Sequence, residues 1–370
     1  MMTAMKISAI ELYEYDLTYS HGTYVMSKGR SAKQQPSNLV RVITDSGIEG
    51  WGEAATLSGN YLPVFAGSTR AALRELAPLL IGQDPRGSTH LQRLMSSLLM
   101  GQANAKNAFD VACWDIFGKS VDLPISALIG GVLSTELPIF EAVPLSSTEE
   151  SLDYIGKRSA QGIMRYQIKI GDDPVKDAAR ARAIVKAFPD IFFFVDANAG
   201  YTLLEAQIAM RALDDTNLYV EQPCRDIADC AMLRKISGLP IVLDEAVLTH
   251  ADLYRAKYEV SAAAVNIKLG RLGGITPAVA MRNAAQDLGM HFCIEDVWGG
   301  DVTAAAVSHV AASAFPENLM HTSFFNDWTN EHVAGYQPRS RNGRGAAPTG
   351  PGLGITVDRS LLGAPVASFS

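Results

Sequence analysis

Hydrophobic and polar residues alternate at the start of the chain in the pattern of half-buried strands. The alternation covers residues 7–13 and residues 38–43, and the turn Asp45-Ser-Gly47 follows the second run. A long polar segment from His21 to Pro36 separates these two predicted strands, and a second loop runs from Thr56 to Pro63. Long loops in compact domains often cover functional sites, so we expect both segments to act as lids.

The pattern then changes to the period of a helix. One predicted helix covers Arg70–Leu80, with Thr69 as its N-terminal cap. A second predicted helix covers 103–118 and places apolar residues 109, 112, 113 and 116 on one face. Pro124 and the pair Gly130-Gly131 end this helical region.

From Pro138 onward, short apolar runs alternate with helical stretches of 10–15 residues, which predicts a parallel sheet. Eight such units predict a closed barrel. The predicted strands are Ile139–Val143, Tyr166–Ile170, Phe192–Asp196, Leu218–Glu221, Ile241–Asp244, Ala263–Lys268, His291–Glu295 and Leu319–Thr322.

The sequence therefore predicts an α/β protein: a (β/α) TIM-type barrel with an N-terminal α+β capping domain. We place the capping domain at residues 1–132 and the catalytic barrel at 133–335. The Gly- and Pro-rich segment 336–370 is expected to pack back on the capping domain.

Composition excludes several classes of protein. Of 370 residues, 48% are hydrophobic and 19% charged, which is ordinary for a globular enzyme. The net charge of −7 argues against nucleic-acid binding, which usually needs a basic face. The chain has no apolar signal core and no apolar run of about 18 residues, so we expect a cytoplasmic protein without a membrane span. We expect the four cysteines, Cys113, Cys224, Cys230 and Cys293, to be buried free thiols.

Three carboxylates end successive predicted strands at nearly equal spacing. Asp196 and Glu221 are 25 residues apart (221 − 196), and Glu221 and Asp244 are 23 apart (244 − 221). Lys169 lies one unit before this set and Lys268 one unit after it. Residues at the carboxyl ends of barrel strands converge on one face. The spacing therefore predicts a divalent-metal site of three oxygen ligands with a lysine on each side.

These motifs, taken in order, resemble one family. The chain resembles the enolase superfamily, and within it the mandelate racemase / muconate lactonizing enzyme family. The resemblance implies a modified (β/α)7β barrel, Mg²⁺ (or Mn²⁺) held by Asp196, Glu221 and Asp244, and catalysis by Lys169 and Lys268. The segments that carry it are Ala108–Lys119, Pro124–Gly131, Asp196-Ala-Asn198, Glu221-Gln-Pro223, Asp244-Glu245 and Lys268–Ile275.

The two lysines resemble the muconate lactonizing subgroup, whose second strand usually carries Lys-x-Lys. This chain has Gln167-Ile-Lys169, so the first of those lysines is absent. Further segments, Gln167–Gly171, Glu221–Cys224, Asp296–Asp301 and Pro351–Thr356, look like members that act on proline derivatives. Those members are hydroxyproline betaine epimerases and cis-3-hydroxyproline dehydratases.

The resemblance implies abstraction of an α-proton from a carboxylate substrate. Lys169 and Lys268, on the second and sixth strands, would flank the α-carbon: one removes the proton, and the other either returns it or helps a β-hydroxyl to leave. Racemisation or epimerisation and dehydration would thus share one site. We expect burial and the metal to lower the pKa of both amines.

Other residues at the strand ends have a functional and a structural interpretation. Asn198 either supports Asp196 or forms a turn. Glu245 either holds a lysine or pairs with a loop. Asp296 either contacts a polar or cationic substrate group or caps a loop, and Gln167 stands where relatives carry lysine.

Aromatic residues near the predicted site form a second group of candidates. Trp298 and Trp328 could hold a quaternary ammonium by cation–π attraction, although packed indoles are the commoner outcome. Tyr24 and Tyr61 lie in the two predicted lids and are candidates for substrate binding through their position.

Alternative functions remain open at this point. An N-acylamino-acid or dipeptide racemase/epimerase is the nearest, but the segment His321–Asp327 lacks the Asp-x-Asp expected of a dipeptide epimerase. A muconate-type cycloisomerase is weakened by Gln167. A Schiff-base aldolase or a non-catalytic binding protein would leave the three carboxylates unexplained. The expected partner is a small-molecule carboxylate, and the chain is expected to form a homo-oligomer.

Overall fold

The computed structural model describes residues 5–370. The strands of this part of the chain are β1 (Ile7–Thr18), β2 (Tyr24–Val25), β3 (Ser31–Ala32), β4 (Gln34–Thr44), β5 (Glu49–Ala55), β6 (Leu137–Pro138), β7 (Glu141–Val143), β8 (Arg165–Lys169), β9 (Phe192–Asp196), β10 (Tyr219–Glu221), β11 (Ile241–Leu243), β12 (Ala264–Lys268), β13 (His291–Glu295), β14 (Leu319–Thr322), β15 (Arg344–Gly345) and β16 (Ala367–Phe369).

The α-helices are α1 (Ala66–Leu80), α2 (Ser88–Leu98), α3 (Ala103–Ser120), α4 (Ile125–Leu128), α5 (Thr148–Ser159), α6 (Pro174–Ala187), α7 (Leu203–Leu213), α8 (Ile227–Arg234), α9 (His250–Arg255), α10 (Leu269–Leu272), α11 (Ile275–Asp287) and α12 (Asp301–Ala312). Short 3₁₀ turns cover Ser27–Gly29, Phe325–Trp328 and Arg359–Leu361, and a π-helical turn covers Ala256–Val260. In residues 5–370, no helix is both long and apolar enough to cross a membrane.

The first sheet is antiparallel, with the strand order β16–β1–β4–β5. Its alternating apolar residues point to one face, where Ile10 and Leu12 of β1 are buried against α1 to α3. Helix α3 approaches β5 so closely that a side chain does not fit between them. A Cβ at Gly52 would lie 1.8 Å from the carbonyl oxygen of Ala108, and one at Gly50 would lie 2.1 Å from that of Ala112.

Strands β7 to β14 form an eight-stranded parallel sheet in sequential order. The sheet closes on itself, because the backbone N–H of Phe140 donates to the carbonyl of Thr322 at 3.2 Å beside the bridge between Ile139 and Thr322. Helices follow the first seven strands, and β14 is followed by a 3₁₀ turn. The predicted TIM-type (β/α)7β fold is confirmed.

The register of this barrel brings the predicted site together. Asp196 of β9 pairs with Lys169 on one neighbouring strand and with Glu221 on the other, while Lys268 pairs with Glu295. All of these residues stand at the carboxyl ends of their strands, where barrel enzymes carry their active sites.

Glu53 connects the first sheet to the barrel. Its buried carboxylate accepts hydrogen bonds from the hydroxyl of Tyr15 at 2.5 Å and from Ser37 at 2.9 Å. It also accepts the backbone N–H groups of Gly300 and Thr303 at the first turn of α12. A carboxylate is stabilised at a helix N-terminus, which carries unpaired N–H groups and the positive end of the helix dipole.

Some local predictions are wrong at their boundaries. Helix α1 begins at Ala66, so Thr69 lies inside it, and the hydroxyl of Ser68 accepts the backbone N–H of Phe65 at 3.1 Å instead. The segment predicted as one long loop contains the hairpin β2–β3, and β4 already begins at Gln34. The division into domains at residues 132 and 335 stays a prediction.

Candidate active site

Two lysine–carboxylate pairs stand on opposite sides of the barrel mouth. Nζ of Lys169 lies 2.5 Å from Oδ2 of Asp196, and Nζ of Lys268 lies 2.8 Å from Oδ2 of Asp244. Strands β8 and β12 have three strands between them in the closed barrel, so the two amines reach the centre from opposite sides. All four side chains are buried, and both lysines line one pocket.

The carboxylates around these two amines oppose the effect of burial on the amine pKa values. Burial, the largest single influence, lowers the pKa of Lys169, but the charges of Asp196, Tyr24 and Glu221 and the hydrogen bond to Asp196 together outweigh it, so the net direction is upward. Burial also lowers the pKa of Lys268, but the charges of Asp244 and Glu295 raise it, and the net direction is again upward. The predicted lowering includes the charge of a bound metal and stays a prediction. The protein contacts alone raise both pKa values, because an adjacent carboxylate favours the charged amine.

Glu221 stands between the two pairs. Nε2 of Gln167 donates to its Oε2 at 2.9 Å, and Nδ2 of Asn266 donates to its Oε1 at 2.7 Å. Burial, and then the charge of Asp196, raise the pKa of Glu221 well above its usual value. Gln167 thus holds a carboxylate by its amide at the position where relatives are expected to carry a lysine.

Glu295 completes a compact group of acids. Within residues 5–370, Glu221, Asp244 and Glu295 each offer an oxygen, and these oxygens lie within 4.8 Å of one another. Oε1 of Glu295 lies 3.7 Å from Nζ of Lys268 and accepts a hydrogen bond from Asn266 at 2.8 Å. Burial and the charge of Asp244 raise the pKa of Glu295 to about 7.

The neighbouring Asp296, which was predicted from the sequence as a candidate for substrate binding, accepts hydrogen bonds from backbone N–H groups. Its carboxylate accepts the N–H of Gly270 at 3.0 Å and that of Val297 at 2.7 Å. The pocket is lined by Glu295 at this strand end. Because successive strand residues point to opposite faces, a one-residue difference decides which acid faces the site.

Arg271 is a second residue that the sequence argument missed. It follows β12 on the four-residue helix α10, and its Nη2 lies 2.7 Å from Oδ1 of Asp244. The same atom donates to the carbonyl of Asn266 at 3.1 Å, while Nε and Nη1 are buried without a hydrogen-bond partner in the described chain. Asp244 is thereby placed between a guanidinium and the amine of Lys268.

Asn198 donates hydrogen bonds to both Asp196 and Glu245. The side-chain amide of Asn198 donates to Asp196 at 2.8 Å and to Glu245 at 3.2 Å, and its backbone N–H donates to Asp196 at 2.7 Å. Asn198 has a φ of 46°, so it also forms the turn. Burial and the charge of Asp244 raise the pKa of Glu245 to about 7.

Aromatic residues cover the pocket, whose volume is about 20 Å³. Tyr24 and Tyr61 come from the two predicted lids, and Trp298 and Trp328 from the loops after β13 and β14. Nζ of Lys169 lies 5.8 Å from the ring centre of Tyr24. Trp298 is 2% exposed, and its indole N–H has no hydrogen-bond partner in the described chain.

The donor set fits a hard divalent cation. The acids at the mouth offer only oxygen atoms, which Mg²⁺ prefers. Three further buried oxygens beside them, those of Asn198, Glu245 and Asn266, have no hydrogen-bond partner in residues 5–370. The ligand set Asp196, Glu221 and Asp244 stays a prediction, since Asp196 lies outside the compact group that contains Glu295.

Nearly the whole chain matches known proteins. Residues 10–130 match the N-terminal domain model of mandelate racemase / muconate lactonizing enzyme, and residues 153–361 match the enolase C-terminal domain-like model. The cis-3-hydroxy-L-proline dehydratase of Roseibium aggregatum is 35% identical over 367 residues, covering 99% of this chain and 100% of that protein. The N-succinyl-L-Arg/Lys racemase of Bacillus cereus is 31% identical over 84% of this chain and 85% of its own.

A solved structure shows the same architecture. The mandelate racemase/muconate lactonizing enzyme homologue of Roseovarius nubinhibens ISM, complexed with magnesium, matches with a TM-score of 0.94 and 32% identity over 99% of this chain and 100% of its own. Members of this superfamily bind Mg²⁺. The chain therefore belongs to the mandelate racemase / muconate lactonizing enzyme family of the enolase superfamily, and it is a lyase or isomerase that acts by abstraction of an α-proton.

Proposed function

We propose that this protein dehydrates cis-3-hydroxyproline, or a close proline-type analogue, by removing the α-proton and the β-hydroxyl as water. The observation that carries the proposal is the placement of two buried amines, Lys169 and Lys268, on opposite sides of one small pocket. The full-length likeness to a cis-3-hydroxy-L-proline dehydratase supports the substrate class.

Stereochemistry links the two amines to this substrate. In the cis diastereomer the hydroxyl and the carboxylate share one face of the ring, so the α-hydrogen lies on the other face. An elimination of water then needs a base on one face and an acid on the opposite face. Lys169 and Lys268 fulfil these roles, with one taking the α-proton and the other protonating the departing hydroxyl.

The acids at the barrel mouth are assigned to metal binding and substrate charge. Asp196, Glu221 and Asp244 would hold Mg²⁺, which supplies Lewis-acid stabilisation of the substrate carboxylate when bound. Glu295 faces the same pocket and is available to the ring ammonium of the substrate. Gln167 and Asn198 keep the acids Glu221 and Asp196 in place through the hydrogen bonds described above.

The walls of the pocket favour a compact substrate. Its lining carries no cationic side chain besides the two lysines, so the distal carboxylate of an N-succinyl amino acid would lack a partner. The remaining walls are mostly aromatic and aliphatic, including Tyr24 and Trp298. A five-membered ring matches this lining better than a long N-acylated side chain does.

A second candidate is epimerisation of a hydroxyproline betaine in the same site. The observation in its favour is the set of aromatic faces formed by Tyr24, Trp298 and Trp328, since such faces attract a quaternary ammonium. The lysines would then act in sequence, one removing the α-proton and the other returning it from the opposite face.

Proton NMR of the purified protein with Mg²⁺ in D₂O tests both candidates. We expect cis-3-hydroxy-L-proline to lose water and trans-3-hydroxy-L-proline, whose hydroxyl and α-hydrogen share one face, to react far more slowly. Deuterium at an inverted α-carbon of 4-hydroxyproline betaine, without water loss from the cis acid, would favour the second candidate. Absence of reaction with all three compounds would contradict the proline-type assignment.

A further inference from the structure

The pocket beneath the lids is closed to any organic acid. Its volume of about 20 Å³ has room for one or two water molecules. A cleft of about 800 Å³ lies on the outer side of the same lids. The two cavities share Tyr61 and Asn198 in their walls, so little more than these side chains separates them.

Arg30 joins the three segments that meet at this wall. Its Nη2 donates to the carbonyl of Asn198 at 2.9 Å, and its Nε donates to the carbonyl of Ser27 at 2.9 Å. The guanidinium carbon lies 5.7 Å from the ring centre of Tyr61. One side chain of the β2–β3 hairpin thus contacts the barrel loop after β9 and the second lid, residues 56–63.

The two lids are held with different strength. The tip of the hairpin lies in a narrow socket: a Cβ at Gly171 would lie 2.7 Å from Cβ of Ser27, and one at Gly200 would lie 2.9 Å from its hydroxyl. The backbone N–H of Lys28 also donates to Asp172. The second lid packs on the barrel through Leu57, and its polar contact is longer, 3.5 Å between the hydroxyl of Tyr61 and Asp244. The second lid is therefore the part that can open without breaking the socket.

The outer cleft is positively charged although the chain carries a net charge of −7. Lys28, Arg30 and Arg225 line it, and Glu245 is the acid among its lining residues. Lys28 is paired with Glu205 at 3.6 Å, so Arg30 and Arg225 supply most of the excess positive charge. A concave surface with an excess of one charge sign raises the local concentration of ligands of opposite charge. Such a cleft favours a small carboxylate over a neutral or cationic molecule.

We propose that this cleft is the entrance through which the anionic substrate reaches the site, and that Arg30 is the latch that keeps the second lid closed over the pocket. The entrance half of this inference rests on the proposed function in one respect, namely that the substrate is a carboxylate. Arg30 acts through Tyr61 and Asn198 and is therefore a positioning residue.

Hydrogen–deuterium exchange of the intact protein tests the latch without any substrate. In Arg30→Met we expect faster exchange at the amides of Tyr61 and Leu62 in the second lid and of the adjacent Val64, with the barrel strands unchanged. Arg30→Lys keeps the charge but loses the planar fork, so it should behave like Arg30→Met. Lys28→Met, in the same hairpin, is the matched control and should leave the second lid unchanged. Faster exchange confined to the hairpin, or no change at all, would overturn the latch.

Charge reversal tests the entrance. In Arg225→Glu we expect kcat/KM for the carboxylate substrate to fall by about tenfold at low salt, with kcat unchanged and the deficit reduced at high salt. Lys186→Glu makes the same change in net charge on α6, near the opposite end of the barrel, and should have little effect. Equal effects of the two variants would reject the cleft as the entrance. The exchange result does not depend on the substrate, so it separates a wrong latch from a wrong function.

Discussion

Nζ of Lys268 lies 2.8 Å from Oδ2 of Asp244, so the amine of a proposed acid–base residue contacts an oxygen of a proposed metal ligand. Anything that binds this carboxylate competes with the ammonium, and by linkage the protonation of the amine affects the affinity of the competitor. Lys169 and Asp196 repeat the arrangement across the barrel. Metal binding and lysine protonation are therefore expected to be coupled on both sides of the pocket.

Removal of either amine should stop the reaction while leaving the fold and the acids in place. For Lys169→Ala and Lys268→Ala we expect turnover to fall at least about 100-fold, the usual contribution of a positioned acid or base. Mg²⁺ affinity should stay the same or rise, because the carboxylate loses its competing ammonium. Turnover by NMR and Mg²⁺ titration by calorimetry check this; wild-type turnover in either variant would contradict the assignment.

Two isosteric substitutions decide which acids bind the metal. We expect Asp196→Asn to weaken Mg²⁺ binding strongly, because it removes one of the three proposed ligands. Glu295→Gln should bind Mg²⁺ nearly as well as the wild type but lose activity, because Glu295 is assigned to the substrate ammonium. Calorimetric titration compares the two variants directly. If Glu295→Gln loses the metal and Asp196→Asn keeps it, the compact group Glu221, Asp244 and Glu295 is the binding site.

Arg271 should set the pH at which Lys268 can act as a base. After burial and the neighbouring acids, the guanidinium of Arg271 is a further influence on the pKa of Lys268, and it lowers that pKa. In Arg271→Met the pKa of Lys268 therefore rises, fewer amines are neutral at a given pH, and the acidic limb of the pH–rate profile moves to higher pH.

The pH dependence of deuterium incorporation at the α-carbon measures this shift. Arg182→Met removes a charge from the exposed surface of α6 and serves as the control. Superimposable profiles for Arg271→Met and the wild type would exclude the proposed influence of Arg271.

His309 should make the fold sensitive to mild acid. It is buried between α4 and the tail, where its Nδ1 accepts the N–H of Ser126 at 3.2 Å and its Nε2 donates to the carbonyl of Leu353 at 3.1 Å. Burial lowers the pKa of His309 from 6.5 to about 4. In the unfolded chain His309 becomes protonated below about pH 6.5, whereas in the native state it becomes protonated only below about pH 4. The free energy of unfolding therefore decreases as the pH falls from 6.5 to 4.

From this group alone we expect the free energy of unfolding to decrease by about 2 kcal/mol between pH 7 and pH 5. Urea denaturation at both pH values measures the decrease. His309→Gln should be less stable at pH 7 but should show a smaller decrease, whereas the exposed His291→Gln should keep the wild-type decrease. Equal decreases in all three proteins would rule out His309 as the sensitive group.

The barrel and the family could be predicted from the sequence because both depend on the regular spacing of strands and strand-end residues. Strand and helix lengths repeat along the chain, so Asp196 and Glu221 fall one unit apart and the closed sheet brings them to adjacent strand ends. Hydrophobic runs and their spacing are local features, so they can be read without knowledge of the tertiary contacts.

Two kinds of contact could not be predicted from the sequence: those that change when a strand ends one residue earlier or later, and those that depend on a segment distant in the chain. Glu295 and Asp296 are adjacent and chemically alike, and only the observed end of β13 shows that Glu295 faces the pocket. Arg271 reaches Asp244 because α10 turns back after β12, which no periodicity encodes. The ion pairs that raise the pKa values of the two lysines were missed for a related reason, since they form between residues of different strands.

The pairing of Ala367–Phe369 with Ile10–Leu12 has a consequence for how the protein is made. One edge of the first sheet is supplied by residues that the ribosome adds about 350 positions after the end of β1 (367 − 18 = 349). The last strand of this sheet is therefore synthesised after the whole barrel, so the completion of the sheet is a late step of biosynthesis.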